Sequence, residues 1–172
     1  MSPYHLSLLG LAALGTCACL VTGSRRQRVE ALLALAAMGV AMTCGLVGLV
    51  LGAGVLVAIA PGALRGAAPA LCAHRAASHL TMAGVLVALF VLNGAGLCGA
   101  AAIPLVTPAG ITRLLLPALA ESYLILTVLA LAAYAAFAGA LCLRAALCRQ
   151  RALLWEVAPM TLATLGMGVG LN

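Results

Sequence analysis

The sequence predicts an all-α fold, a polytopic bundle of transmembrane helices with no soluble domain. Composition gives the first reason. Of 172 residues, 66% are hydrophobic and only 7% charged, with a mean hydropathy of +1.24. A soluble domain carries about a quarter of its residues as charges. This chain could not cover itself with polar groups, so lipid must be the solvent for most of its surface. Spacing gives the second reason: the apolar residues come in runs near the roughly 20 residues that cross a bilayer. The third is charge placement, because the arginines gather at the ends of those runs. The length leaves room for six spans, the favoured count, or five, and for little else.

Net charge is +6, from nine Arg, no Lys and three Glu. A basic balance can mean nucleic acid or anionic lipid. No aromatic residues interleave with the arginines here, so topology signalling and headgroup contact are the reading, with no nucleic-acid partner. The seven Cys form no CxxC motif and no disulfide framework. Inside apolar runs they act as small hydrophobes.

Residues 3–22 form the first run. No basic residue precedes it, so it reads as an uncleaved first span rather than a signal peptide. Gly23 to Arg28 is a turn bearing Arg25, Arg26 and Arg28. The next stretch, Val29 to Ala60, is too long for one ordinary helix and short for two. Gly45, Gly48, Gly52 and Gly54 could allow a tight reversal or close packing of one long span. Pro61-Gly62 ends the run, and Arg65, Pro69, His74 and Arg75 mark a polar connection. A central helix over 75–93 follows, with Asn93-Gly94 as a turn. Residues 95–118, broken by Pro104, Pro108 and Pro117, read as a loop or re-entrant segment. Strong spans over 121–143 and 153–171 flank the basic turn of Arg144, Arg149 and Arg151. Tyr123 and Trp155 are interface anchors.

Charge bias decides the count. With five simple spans, the first and last basic turns fall on opposite sides, which the positive-inside rule disfavours. Dividing 29–60 into short spans over 29–44 and 46–61 brings eight of nine Arg to one side, leaving only Arg113 opposite. Six spans in a prokaryotic cell membrane are therefore expected, with the N-terminus outside and the basic turns cytoplasmic.

The unusual chemistry gathers in Cys72 to Phe90. A period of 3.6 residues puts Cys72, Arg75, His79 and Met82 on one face. Three helices place Met beside Gly after a basic turn, at Met38-Gly39, near Met82 and Gly84, and at Met167-Gly168. The first reading is packing, with Gly39, Gly84 and Gly168 at helix contacts and Met filling gaps. A second reading is a soft-metal site of His79, Met82, Met38 and Met42, a donor set that suits Cu(I). His74 and Arg75 read as headgroup contacts. His79, a turn deeper, reads as a neutral, hydrogen-bonded residue facing the bundle. Glu30 and Glu156 read as charges placed at helix starts, and Glu121 as a surface partner of Arg113. No GxSxG, HExxH or phosphate-binding loop is present, and no cofactor is expected on the first reading.

Leu35 to Met42, Ser78 to Ala83 and Thr161 to Gly168 carry H-x-x-M-A-x-A-M-like patterns. In these stretches the chain resembles an actinobacterial family of small integral membrane proteins of unknown function, with about six spans and a basic turn after the first. No His precedes Met38 in its helix, a departure from that pattern. The resemblance implies a fold and no established activity. The expected function is a non-enzymatic accessory or structural membrane subunit, partnered by the lipid bilayer and other membrane proteins. The alternative is a copper-binding membrane protein or small transporter.

Overall fold

The computed structural model describes residues 3–66, 68–98, 102–107 and 110–169, and the side chains of these except His5, Val169 and those within 94–119. Six helices account for most of it: α1 (Pro3–Thr22), α2 (Arg25–Thr43), α3 (Gly45–Ala63), α4 (Pro69–Cys98), α5 (Leu116–Leu147) and α6 (Arg151–Val169). Two short strands, β1 (Ala102–Thr107) and β2 (Gly110–Leu115), pair antiparallel between α4 and α5. Consecutive helices pack as neighbours, and α1 against α6 closes the ring. Helix α4 also reaches α6, so the stretch with the unusual chemistry touches α3, α5 and α6.

Local sequence explains the helix ends. A capping box opens α2: the Ser24 N–H donates to Gln27 Oε1 at 2.9 Å, and Ser24 Oγ accepts from the Gln27 N–H. This starts the helix at Arg25, four residues before the apolar run. At the other end, Cys44 N–H donates to the Val40 carbonyl at 2.9 Å, and Gly45 takes φ +58°. A left-handed backbone there suits Gly because it has no Cβ to clash. The chain reverses at this point, so residues 29–60 form two antiparallel helices rather than one long span. A Cβ on Gly48 would overlap the Val40 carbonyl, and one on Gly52 would come within 2.9 Å of the Ala37 carbonyl. Those two glycines let α2 and α3 lie side by side.

Pro69 opens α4, where its missing N–H costs nothing. The expected turn at Asn93-Gly94 does not occur. Asn93 instead donates its side-chain amide to the Leu89 carbonyl at 2.7 Å, and the helix continues to Cys98. The segment expected as a loop or re-entrant piece forms the β1–β2 hairpin, with Pro104 opposite Arg113. Proline is tolerated there because a two-stranded sheet consists only of edges. Helix α5 accordingly begins at Leu116, and the expected Glu121–Arg113 pair lies outside the described side chains. The α5–α6 turn closes with Gln150 N–H donating to the Ala145 carbonyl at 2.8 Å, and places Arg149 at φ 53°.

The bundle is inverted in polarity relative to a soluble protein. Leu126, Leu129 and Leu143 on α5 are 64%, 61% and 63% exposed, whereas Arg75, His79 and Glu156 are 7%, 3% and 2% exposed. Much of the interior is small: Ala12, Ala37, Ala83, Ala88, Ala138 and Ala163 are all buried. Small residues hold helices together where lipid removes the hydrophobic drive between them. The hydroxyls of Thr16, Thr127, Thr161 and Thr164 return to the carbonyls four residues back, at 2.7–2.9 Å. These four hydroxyls are thus satisfied within their own helices.

Among the described residues, three helical segments are long and apolar enough to cross a membrane: Gly45–Ala63, Pro69–Asn93 and Ala120–Leu147. Leu6–Thr22 is apolar but shorter. Of the three glycines expected at contacts, only Gly168 makes a close one, where a Cβ would meet Leu131 at 2.7 Å. Beside Gly39 there is open space. Gly84 has only the Tyr123 hydroxyl near, and its carbonyl accepts that hydroxyl's proton at 3.1 Å.

The α1–α2, α3–α4 and α5–α6 connections, which carry every arginine but Arg75 and Arg113 in or beside them, share one end of the bundle. A Cβ on Gly66, between α3 and α4, would meet Gln27 of α2 at 3.2 Å. Arg75 near the start of α4 reaches Glu156 near the start of α6. Arg25, Arg26, Arg28, Arg65, Arg144, Arg149 and Arg151 are all exposed at that end.

Candidate functional site

Beneath that basic end, α1, α2, α4 and α6, with Ala63 of α3, line a partly open cavity of about 40 Å³. One water needs about 10–15 Å³ measured this way, so the space holds a few waters or a small ion. Each of the four helices contributes a side chain with chemistry: Cys19 from α1, Glu30 and Met38 from α2, Arg75, His79 and Met82 from α4, and Glu156 and Met160 from α6.

The spacing on α4 explains its share. Arg75, His79 and Met82 stand at i, i+4 and i+7 and so point the same way. On α6, Glu156 and Met160 are i and i+4. Gly15 of α1 admits Met160: a Cβ there would lie 2.6 Å from the Met160 Cγ. Gly62 of α3 plays the same part for Glu30, whose carboxylate occupies the place a Cβ would take.

Charge inside the bundle is paired. Arg75 Nε donates to Glu156 Oε1 at 2.6 Å, and Arg75 Nη2 lies 2.5 Å from the same oxygen. Arg26 Nε donates to Glu30 Oε1 at 2.8 Å, with the arginine half in solvent. The expectation of Arg75 as a headgroup contact and Glu156 as a helix-start charge is therefore corrected. They are 81 residues apart in sequence and bonded to each other in the interior. A buried guanidinium needs a fully committed partner, and Glu156 supplies it.

His79 lies against the cavity almost wholly buried, and its Nδ1 has no hydrogen-bond partner among the described residues. Among the described residues, the expected hydroxyl or carbonyl of a neighbouring helix is not bonded to Nδ1. Of the proposed soft-metal residues, the structure brings His79, Met82 and Met38 to this one cavity. Met42 lines a different space of about 200 Å³, with Tyr4, Leu8, Leu49, Asn93 and Met167. One turn along α2 from Met38, it lies toward the opposite end of the bundle. Sequence reasoning missed Cys19. Glu156 and Met160 are visibly i and i+4, but that spacing favours a helix-start charge, and nothing local tells that α6 faces α1.

A second buried polar group sits on the other side of α4. His74 is fully buried rather than at a headgroup level, and stacks on Tyr134 of α5 with ring centroids 5.5 Å apart and 15° between planes. Phe137 lies 6.4 Å away, tilted. The Ser78 and Thr164 hydroxyls are 3.2 Å apart, and the Tyr134 hydroxyl lies toward them without reaching hydrogen-bond geometry. Neither His74 nitrogen has a partner among the described residues.

No protein-family model, curated protein or solved structure matches the chain. The chemistry of the site therefore has to be read from its donors. Among the described residues, no three His, Cys, Asp or Glu side chains come together as a metal-holding group. That excludes, among these residues, the all-nitrogen, thiolate and carboxylate set that zinc prefers. What converges on the cavity is an imidazole, three thioethers and a thiol, beside internally paired charges.

Proposed function

We propose that this chain is a multi-pass integral membrane protein with six spanning helices, serving as a non-enzymatic accessory or structural subunit of a prokaryotic cell membrane. The inverted polarity carries the reading: leucines and valines outside, ionisable groups and alanines inside. A surface of that kind is stable only against lipid or another apolar partner. The three shared basic loops support a cytoplasmic placement of that end, with the N-terminus outside. The resemblance to small actinobacterial membrane proteins is consistent with the same architecture.

The accessory role draws on α5, the least covered of the three long apolar helices. Its Ala132, Ala136 and Ala140 are exposed at four-residue intervals. Such a stripe lets another helix approach closely. Carbonate extraction of membranes tests integration, with the protein expected to stay in the pellet. Cross-linking through Ala136→Cys, against Leu32→Cys on α2 as the control, tests the face. Release by carbonate would remove the first part, and equal cross-linking the second. A further reading, a soft-metal-binding membrane protein or small transporter, draws on the lining of the inner cavity.

A further inference from the structure

We infer that the cavity among α1, α2, α4 and α6 is a site for one soft monovalent cation, Cu(I), with His79, Met38, Met82 and Met160 as its ligands. This rests on the soft-metal reading and is independent of the accessory role. Three different helices supply the four donors to one small space. Met38 and Met82 are buried, although each could have been replaced by Leu at little packing cost. His79 brings a buried ring nitrogen, Nδ1, with no partner among the described residues, a cost that proteins seldom carry without a use.

The donor chemistry selects the ion. Thioethers are soft and bind Cu(I) well, while Zn(II) prefers thiolate, imidazole or carboxylate sets and hard cations prefer oxygen ligands. All four ligands are neutral, so binding Cu(I) requires no proton to leave. Charge balance is compatible with a single positive ion: Arg75 and Glu156 cancel, Arg26 offsets Glu30, and no unpaired arginine faces the space. Cys19 lines the same cavity, but its thiol points to the Gln27 carbonyl at 3.7 Å. It is therefore left out of the ligand set, and Cys19→Ser should keep binding.

The test is competition of the purified full chain in detergent against a chromophoric Cu(I) chelator, under reducing, oxygen-free conditions. One Cu(I) per chain is expected. Met38→Leu with Met82→Leu, and separately His79→Gln, should weaken retention by more than the roughly 10–100-fold typical of outer-shell changes. Met42→Leu and Met167→Leu, at the other cavity, should leave it unchanged. Because a cavity variant can fail to fold, X-ray absorption of the Ag(I)-loaded wild type gives a second readout, with sulfur-dominated coordination including one nitrogen expected. No Cu(I) retained by the wild type, loss equal in Met42→Leu, or an oxygen-dominated shell would each overturn the assignment. Carbonate extraction of the same preparations reads membrane integration separately, so the two readings can fail independently.

Discussion

Replacing Glu156 by Gln should be among the most destabilising single changes in this chain. The carboxylate is 3% exposed and its partner Arg75 8%, with both Nε and Nη2 of the arginine within 2.6 Å of Oε1. Glutamine keeps the shape and one acceptor oxygen but leaves the guanidinium charge buried and uncompensated. Breaking a buried pair from one side costs about 3–5 kcal/mol, whereas an exposed pair is worth only about 0–1 kcal/mol. The two ranges do not overlap, so the measurement decides which environment the pair occupies. Removing both charges with Arg75→Met and Glu156→Met should recover most of the loss, because neither charge is then stranded. The assay is a double-mutant cycle on reversible unfolding in mixed detergent micelles, with helicity as the signal. A single-variant loss below about 1 kcal/mol, or a double variant as unstable as the sum of its parts, would refute the buried-pair geometry.

Other expectations follow from packing and turns. Ala88 is wholly buried while Gly84 has only the Tyr123 hydroxyl near it, so Ala88→Leu should cost about 1–3 kcal/mol. Gly84→Ala should be neutral or slightly stabilising in the same unfolding assay. Gly48→Leu should lower the Tm sharply, because the Val40 carbonyl occupies the space its Cβ would need. Arg149→Gly should raise stability by up to about 1 kcal/mol, since φ 53° carries a left-handed penalty that glycine avoids.

Much of the helix order was legible from local rules. The α2–α3 reversal was favoured by charge bias, because dividing residues 29–60 brings eight of nine Arg to one side, whereas length and the glycines alone left one long span open. The central place of α4 was legible from its mixture of His, Arg, Cys and Met. Tertiary partners were not. Nothing within a helix's length of Arg75 reveals that its counter-ion is on α6, so it read as an interface residue. His74 was assigned to headgroups for the same reason, and its stacking on Tyr134 of α5 could not be inferred. The hairpin at 102–115 was hidden by its prolines, which argue against strands in a wide sheet but not in a two-stranded one. Of the expected contact glycines Gly168 was placed correctly, but Gly39 and Gly84 were not, because Met beside Gly marks composition, whereas the close approaches at Gly15, Gly48 and Gly52 depend on which face meets a neighbour. For the candidate site, helical spacing recovered His79 and Met82 on one face. Met38 joined them through the packing of α2, and Met42 turned elsewhere.

The central proposal is a six-helix membrane bundle whose three basic loops, at 23–28, 64–68 and 148–151, lie on the cytoplasmic side. Its most direct measurement is the accessibility of single cysteines, in a cysteine-free background, to a membrane-impermeant thiol reagent in intact cells. Positions 23, 66 and 150, in the three basic loops, should be shielded until the cells are opened. Position 45, at the α2–α3 reversal, should label from outside. Labelling of position 66 and position 150 from opposite sides, or of position 45 from the same side as position 23, would contradict the account.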